Sequence, residues 1–359
     1  MSRKIFTVIG ARPQFIKAAA VSRAFKKMEG LQEIIIHTGQ HFDDNMSRVF
    51  FDELDIPPPA HHLNIHSLSH GAMTGRMVEA LEKLMMQEKP DRVMVYGDTN
   101  STLAGALAAS KLHIPVAHVE AGLRSFNMFM PEEINRILTD RVSNLLFCPT
   151  PTAVDNLKKE GFDDMNCKII QCGDVMYDAA LYYTHRANKP HQELPAEFVL
   201  ATLHRAENTD NPQQLSSILT ALSMISEKIP VVLPLHPRTA NIIRREGIIT
   251  QTGNMLFTPP MGYLQMIWLL QHCNMVMTDS GGLQKEAYFF RKPCITLREE
   301  TEWTELTQQG VNKLVGAHQE KILQAFEYFS SAQVHFPDGL YGRGNAAMII
   351  AQNLLEDSY

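Results

Sequence analysis

Three carboxylates stand where acid–base chemistry can be done. Asp98 follows a run predicted to be a strand, 92–96, after the single residue Gly97, and Glu120 directly follows the next strand, 115–119. Glu132 then lies in the first turn of a predicted helix. The dipole of that helix alone can explain Glu132, but it does not explain acids that end apolar strands. Parallel strands bring their carboxyl ends to one sheet edge, so we expect the three acids to converge there, where crowded carboxylates tune one another's pKa for proton transfer.

A second stretch, residues 278–287 with the sequence T-D-S-G-G-L-Q-K-E-A, is typical of a ligand-binding turn from strand to helix. Ser280 is suited to the N-cap of the helix. Gly281 and Gly282 carry no side chains, so a ligand, most simply a phosphate, can approach the free N–H groups of the helix start. Glu286 lies one helical turn further on and can accept hydrogen bonds from ribose hydroxyls. A capped turn without a ligand is the alternative interpretation of this stretch alone.

Cationic side chains also lie at predicted strand ends. Arg12 is in the turn after the first strand and Lys17 is one turn into the next helix, so both can face a ligand. Solvated surface charges are the commoner outcome for such residues. His204 and His236 each end a strand of the second half and each is followed closely by an arginine, Arg205 in the first case. These groups can serve the charge of a phosphate.

Length and composition are those of an ordinary globular enzyme. A chain of 359 residues predicts two domains, and a net charge of −6 argues against a nucleic-acid surface or a basic membrane patch. The N-terminus enters a strand directly, without the pattern of a signal peptide, and no apolar run is long enough to span a membrane. The five cysteines form no C-x-x-C pair, which indicates reduced thiols, so we expect a cytoplasmic protein.

The sequence indicates neither a metal site nor a nicotinamide site. Residues 57–71 hold four histidines, but none pairs with a carboxylate at ligand spacing on a clear helix, so a mobile loop is favoured over a metal site. The first strand is followed by G-A-R-P, and the dinucleotide fingerprint G-x-G-x-x-G is absent. We therefore expect no metal and no cofactor.

Strands and helices alternate along the whole chain, which predicts an α/β fold of two doubly wound, Rossmann-like domains. The first domain, with the acid/base residues, is expected to span residues 1–174. A C-terminal helix, 345–359, is expected to join it by crossing back. The second domain is expected to span residues 175–344, with a new strand–helix series starting at 198–203.

Six motifs occur in order along the chain: G-x-R-P-x-x-I-K, G-D-T, V-E-A-G-L-R, P-E-E-x-N-R, H-R-x-E and D-S-G-G-x-Q-x-E. Each motif is weak alone, but the ordered set is highly specific. On these motifs the whole chain resembles the non-hydrolysing UDP-N-acetylglucosamine 2-epimerase family. The resemblance implies the glycosyltransferase-B (GT-B) architecture, in which two doubly wound domains face each other across a cleft. It also implies a homodimer.

The resemblance further implies a redox-neutral mechanism. The family eliminates UDP from a UDP-2-acetamido sugar with loss of the C2 proton, giving a glycal, and then adds both back with C2 inverted. By motif match, Asp98, Glu120 and Glu132 resemble the acid/base set, and which of them removes the C2 proton stays open. His204 resembles the group that meets the diphosphate. The UDP ligands implied by the same match are Arg12, Ser280, Gly281, Gly282 and Glu286, with Lys17 similarly placed.

Two loops depart from the plain UDP-N-acetylglucosamine pattern. The first reads G-A-R-P-Q-F-I-K where G-T-R-P-E is usual, and the second, E-E-T-E-W-T-E, places Trp303 where many members carry an arginine. The second change weakens the case for a charge contact with the nucleotide at this position. Both variants resemble the subgroup that acts on UDP-2,3-diacetamido-2,3-dideoxy-D-glucuronate for surface polysaccharide. Arg124, Asn127 or Arg205 could serve the extra carboxylate of that sugar.

Three other functions remain open. One is a UDP-N-acetylglucosamine 2-epimerase, and another is a GT-B glycosyltransferase, which would need an acceptor and would release UDP irreversibly. The third is a nucleotide-binding protein without catalysis. Crowding three carboxylates in one place without a chemical use argues against this last alternative.

Overall fold

The computed structural model describes residues 2–40, 54–235, 237–247 and 253–357. The chain divides into two compact units, Met1–Leu181 with Gly339–Tyr359, and Tyr182–Asp338. The sequence placed the domain boundary after residue 174, whereas this division falls after Leu181, inside a helix.

The first unit is built on a parallel sheet of seven strands. Its strands are β1 (Arg3–Ile9), β2 (Leu31–His37), β3 (His61–His62), β4 (Arg92–Tyr96), β5 (Val116–Val119), β6 (Leu145–Cys148) and β7 (Lys168–Gln171). Their spatial order is β3-β2-β1-β4-β5-β6-β7, so the winding reverses between β1 and β4. Every residue of β4, β5 and β6 is buried. Such fully buried strands are expected when helices cover both faces of a parallel sheet.

Helices α1 to α6 follow the strands of this unit. They are α1 (Arg12–Phe25), α2 (His70–Glu88), α3 (Asn100–Lys111), α4 (Pro131–Val142), α5 (Pro151–Lys159) and α6 (Val175–Thr184). Small residues let α3 lie close to the sheet, since a Cβ at Gly105 would come within 2.9 Å of Val95 Cγ1. The turn before α1 is held by Gln14, whose Oε1 accepts from the N–H of Gly10 at 2.8 Å and of Ala11 at 3.0 Å.

The C-terminal helix belongs to the first unit, and we number it α14 (Ala346–Glu356) in chain order. It packs against α1. Asp178 accepts hydrogen bonds from the N–H groups of Ala346 at 3.1 Å and Ala347 at 2.8 Å, so it binds the first turn of the helix. At the other end Arg92 forms an ion pair with Asp357 at 2.7 Å.

The second unit is built on a parallel sheet of six strands. Its strands are β8 (Val199–Thr202), β9 (Val231–Pro234), β10 (Met255–Thr258), β11 (Met275–Thr278), β12 (Cys294–Thr296) and β13 (Asn312–Leu314), in the order β10-β9-β8-β11-β12-β13. Its further helices are α7 (Ala206–Thr209), α8 (Pro212–Ser226), α9 (Pro237–Arg245), α10 (Tyr263–His272), α11 (Gly281–Phe289), α12 (Thr304–Gln308) and α13 (Gln319–Ser331). The winding reverses between β8 and β11, the strands that precede His204 and Ser280.

The predicted fold class of two doubly wound, parallel α/β units is confirmed. The expectation of a loop across residues 57–71 is wrong in part. His61 and His62 form β3, which pairs with Ile36 and His37 of β2, and α2 begins at His70. Two strand residues give almost no periodic pattern, so only the pairing partner reveals them.

Candidate active site

Asp98 and Glu120 lie just beyond the carboxyl ends of the neighbouring strands β4 and β5. Both follow sharp turns, because Gly97 has φ +63° and Glu120 itself has φ +74°. A positive φ is uncommon for a residue with a side chain and is often found where function fixes the backbone. The sheet thus brings these two predicted acids to one edge.

Lys17 joins this edge from α1. Its ammonium forms an ion pair with Glu120, and both side chains are almost buried, with 10% and 8% exposure. A Cβ at Gly97 would lie 3.0 Å from Lys17 Nζ and 3.2 Å from Glu120 Oε2, so the backbone before Asp98 runs directly against the pair. Lys17 is therefore not a solvated surface charge, which was the alternative for it.

A buried arginine holds Asp98 from the other side. Arg136 NH2 lies 2.5 Å from Asp98 Oδ2 and its NH1 lies 2.8 Å from Glu133 Oε2. Asn135 also donates to the backbone carbonyl of Asp98 at 2.9 Å. Sequence reasoning missed the roles of Asn135 and Arg136, although both belong to the P-E-E-x-N-R motif. The signal available in the sequence was that both residues lie one helical turn after Glu132 on the same predicted helix.

The two consecutive glutamates of α4 have different surroundings. Glu133 is fully buried and accepts from the N–H groups of Ser125 and Phe126, both at 2.9 Å. Burial alone would raise the pKa of Glu133, but these N–H groups and Arg136 hold it below its ordinary value. Glu132 is only partly buried. Its place in the acid/base set stays a prediction.

Arg12 and Arg124 occupy different settings. Arg12 is the first residue of α1 and is partly buried at the carboxyl end of β1, as the sequence placed it. Arg124 is buried, and its guanidinium lies 2.8 Å from Asp140 and 2.7 Å from Glu160. With its charge already balanced inside the protein, Arg124 does not fit the hypothesis that it binds a substrate carboxylate.

In the second unit a buried aspartate organises the turn after β8. Asp279 is fully buried and accepts from the N–H of His204 at 3.1 Å and of Arg205 at 3.0 Å, and from Asn208 Nδ2 at 3.3 Å. His204 Nδ1 also lies 3.0 Å from Asp279 Oδ1, while 53% of the His204 side chain is exposed. Burial would raise the pKa of Asp279, but the imidazole and the N–H donors lower it. Sequence reasoning missed this role of Asp279.

The strand-to-helix turn after β11 has the predicted form. Ser280 occupies the N-cap position of α11, although its side chain makes no capping hydrogen bond. A Cβ at Gly281 would overlap the Glu302 carboxylate, whereas a Cβ at Gly282 would have no atom within 4 Å. Glu286 is buried in α11. The helix start is therefore tightly packed at one glycine and open at the next, which suits the approach of a ligand to its N–H groups.

The loop that departs from the family pattern has a structural explanation. Trp303 and Lys285 are both almost completely buried, and Lys285 Nζ lies 4.0 Å from the centre of the Trp303 ring. A cation over an indole face is a favourable interaction in a desolvated site. An arginine in place of this tryptophan would bring a second cation toward the lysine.

Some expectations fall outside these observations. His236 lies outside the described residues, so its predicted contact with phosphate stays a prediction. Within the described part of the chain, no cluster of three or more His, Cys, Asp or Glu side chains is arranged to hold a metal ion. None of the described helices combines the length and the apolar character needed to cross a membrane.

Two doubly wound units, one with carboxylates and one with a glycine-rich helix start at their strand ends, are features of the GT-B fold of nucleotide-sugar enzymes. The family model for UDP-N-acetylglucosamine 2-epimerase matches residues 23–355. The chain belongs to this family.

Known relatives match over essentially the full length. The chain is 57% identical to the UDP-2,3-diacetamido-2,3-dideoxy-D-glucuronate 2-epimerase of Pseudomonas aeruginosa, over 98% of this chain and 99% of the relative. It is 49% identical to a UDP-N-acetylglucosamine 2-epimerase homolog of Methanococcus maripaludis, with the same coverage of 98% and 99%. The crystal structure of the Methanocaldococcus jannaschii UDP-N-acetylglucosamine 2-epimerase, in complex with UDP-N-acetylglucosamine and UDP, matches with a TM-score of 0.91 and 40% identity, covering 99% of this chain and 100% of that one.

Proposed function

We propose that this protein epimerises UDP-2,3-diacetamido-2,3-dideoxy-D-glucuronate at C2, giving the manno isomer for surface polysaccharide synthesis. The observation that supports this choice of substrate is the 57% identity, over nearly the whole chain, to a relative with that activity. The two loop variants, which include Trp303, point to the same subgroup.

In the proposed reaction, a carboxylate takes the C2 proton while the bond from C1 to the UDP oxygen breaks. UDP leaves with the electron pair of that bond, and a C1–C2 double bond forms. UDP then adds back to C1, and a proton is delivered to C2 on the opposite face. Asp98, Glu120 and Glu132 are the proposed acid/base set. Two of them form ion pairs with cations, Glu120 with Lys17 and Asp98 with Arg136, which hold these carboxylates in place.

The second unit is proposed to hold UDP. Arg205 and His236 would add charge to the site formed by Ser280, Gly281, Gly282 and Glu286, and Arg12 of the first unit stays a predicted UDP ligand by family resemblance. The diphosphate would meet the N–H groups of Gly281 and Gly282, and Glu286 would bind the ribose. His204 would meet the departing diphosphate, where a cationic imidazole lowers the barrier by stabilising the charge that develops.

The substrate can be tested by proton NMR in deuterated buffer, with the diacetamido-glucuronate and N-acetylglucosamine nucleotides supplied separately. We expect deuterium at C2 with inversion for the first sugar only. Turnover of UDP-N-acetylglucosamine alone would favour the second candidate, the activity of the Methanocaldococcus relative. Exchange with neither sugar would contradict the epimerase proposal and point to a glycosyltransferase or another sugar.

We further propose a homodimer that joins through an apolar surface of the first unit. Phe126, Met128 and Phe129 before α4, with Ile134 and Leu138 on it, are large apolar side chains that are exposed, Phe129 by 99%. Large exposed apolar side chains concentrated in one segment of the chain favour an interface there. Light scattering should find a dimer for the wild type and a monomer for Ile134→Glu/Leu138→Glu. Met86→Glu on α2, also at an exposed apolar residue, is the control that should stay dimeric.

The proposed location is the cytoplasm. All five cysteines are free thiols, four of them buried. Structural thiols that remain unpaired are typical of reducing compartments. Export of the protein to an oxidising compartment in an active form, detected by fractionation, would contradict this assignment.

A further inference from the structure

A buried pair of side chains, His118 on β5 and Asp140 on α4, lies where the carboxylate-bearing segments of the first unit meet. Both side chains have no exposed surface. His118 Nδ1 lies 2.6 Å from Asp140 Oδ1, and His118 Nε2 lies 2.8 Å from the carbonyl oxygen of Gly97. Each ring nitrogen of this histidine therefore faces an oxygen acceptor.

A doubly protonated imidazole would donate to both of these acceptors. A neutral histidine carries one N–H and could satisfy only one of the two acceptors. Asp140 is the better place for the negative charge, because its Oδ2 accepts from the N–H of Gly122 at 3.1 Å and from Arg124 NH1 at 2.8 Å. Burial would raise the pKa of Asp140, but His118 and Arg124 lower it.

The charges of this cluster balance. Arg124 is held on its other side by Glu160 through two hydrogen bonds of 2.7 and 2.8 Å. With His118 doubly protonated, His118 and Arg124 would supply two positive charges against the two negative charges of Asp140 and Glu160. Balance matters because an unpaired charge in a protein interior costs several kcal/mol, whereas a paired and hydrogen-bonded one is tolerated.

The pair connects three segments that carry the proposed acid/base residues. Gly97, whose carbonyl it holds, directly precedes Asp98. Gly122, whose N–H it holds, follows Glu120 by two residues. Asp140 itself lies on α4, the helix that begins beside Glu132. One imidazolium–carboxylate contact therefore ties together the turn after β4, the turn after β5 and the helix.

We propose that His118 and Asp140 are positioning residues that fix the three carboxylates relative to one another for proton transfer at C2. This inference rests on the proposed epimerisation. The physical reason for such a device is geometric, because proton transfer needs the acid and base placed to well within 1 Å, and a displacement of that size can cost about 100-fold in rate.

The protonation state can be read without any activity measurement. In wild-type protein labelled with nitrogen-15 in its histidines, the His118 signals are assigned by their loss in His118→Asn. We expect both ring nitrogens of His118 to resonate as N–H nitrogens at neutral pH. A signal typical of an unprotonated ring nitrogen would overturn the inference. Because the spectrum is recorded on the wild type, it reports the protonation state in the intact protein.

The positioning role is tested with His118→Asn, which can keep a donor toward Asp140 but is too short to reach Gly97. We expect kcat for deuterium exchange at C2 to fall about 100-fold. The affinity for UDP, most of whose proposed ligands are in the other unit, and the KM should change less than about threefold. Glu160→Gln is the matched control, because it disturbs Arg124 but leaves both contacts of His118, and it should exchange deuterium like the wild type.

The outcomes separate the two proposals. If the wild type exchanges deuterium into no UDP-sugar, the proposed function is contradicted, while the NMR result on His118 still stands. A wild type that exchanges, with His118→Asn exchanging equally fast, overturns the positioning role. Equal losses in His118→Asn and Glu160→Gln, or a loss of UDP affinity parallel to kcat, would also overturn it, because they indicate general damage to the unit.

Discussion

The imidazole Nδ1 of His204 lies 3.0 Å from Oδ1 of Asp279, so a fully buried carboxylate orients a half-exposed ring. The two residues follow neighbouring strands, β8 and β11, on either side of the point where the winding of the second sheet reverses. Because Asp279 is ionised and accepts, Nδ1 must donate, and Nε2 is directed away from the carboxylate. The same aspartate holds the backbone of His204 and Arg205, so it fixes both the ring and its attachment.

The first prediction concerns Asp279→Asn. An asparagine can still accept from the backbone N–H groups, but its amide N–H would face His204 Nδ1, and it lacks the negative charge that stabilises a cationic ring. We expect kcat for C2 exchange to fall about 100-fold. Asp210→Asn, at a surface ion pair with Arg238, is the control and should behave like the wild type. An active Asp279→Asn enzyme would show that the orientation of His204 is not needed.

The second prediction concerns the buried ion pair of Lys17 and Glu120. Lys17→Met leaves a buried carboxylate without its cation, so the free energy of unfolding should fall by about 3 kcal/mol. Glu120→Gln combined with Lys17→Met removes both charges and should recover a large part of that loss. Urea unfolding of the two single variants and the double variant measures the coupling between them. Additive losses in the double variant would mean that the pair contributes no mutual stabilisation.

The third prediction concerns Trp303, whose ring covers the Lys285 ammonium. Trp303→Arg restores the residue that many relatives carry, but here it would place two cations together in a buried site. We expect a loss of about 3 kcal/mol in the free energy of unfolding. Trp303→Phe keeps an aromatic face. We expect its free energy of unfolding to fall by about 1 kcal/mol in addition to the loss caused by the smaller side chain. Equal stability of the arginine variant and the wild type would contradict this account of the departure from the family pattern.

The fourth prediction concerns the pH dependence of stability. Burial raises the pKa of Asp178 to about 6, despite the hydrogen bonds it accepts from Ala347 and Ala346. The unfolded value is near about 3.9, so the folded protein keeps a proton that the unfolded chain has lost between these values. The contribution of this group is therefore full below about pH 4 and is lost as the pH rises through about 6.

Urea unfolding of the wild type and Asp178→Asn at several pH values measures this contribution. The stability of the wild type relative to the variant should fall from about pH 4 to about pH 7, by at most about 3 kcal/mol. A relative stability that rises over this range would show that the first turn of α14 lowers the pKa of Asp178 instead.

Much of this protein is determined by its sequence alone. Apolar runs such as Arg92–Tyr96 and Leu145–Cys148 were predicted to the residue, because unbroken burial in a parallel sheet leaves a continuous apolar pattern. The placement of Asp98, Glu120 and Ser280 at strand ends followed from the same pattern and from the ordered motifs. Family membership also rests on those motifs, because they are local in the chain.

The tertiary structure decided what each of these residues contacts. Lys17 and Glu120 are 103 residues apart, His118 and Gly97 are 21 apart, and His204 and Asp279 are 75 apart. No periodic pattern links such positions, and an isolated His or Asp in a sequence looks the same whether it is solvated or locked in a buried pair. Only the folded sheet, by bringing strand ends from distant segments to one edge, sets the distances and the burial on which their charge states depend.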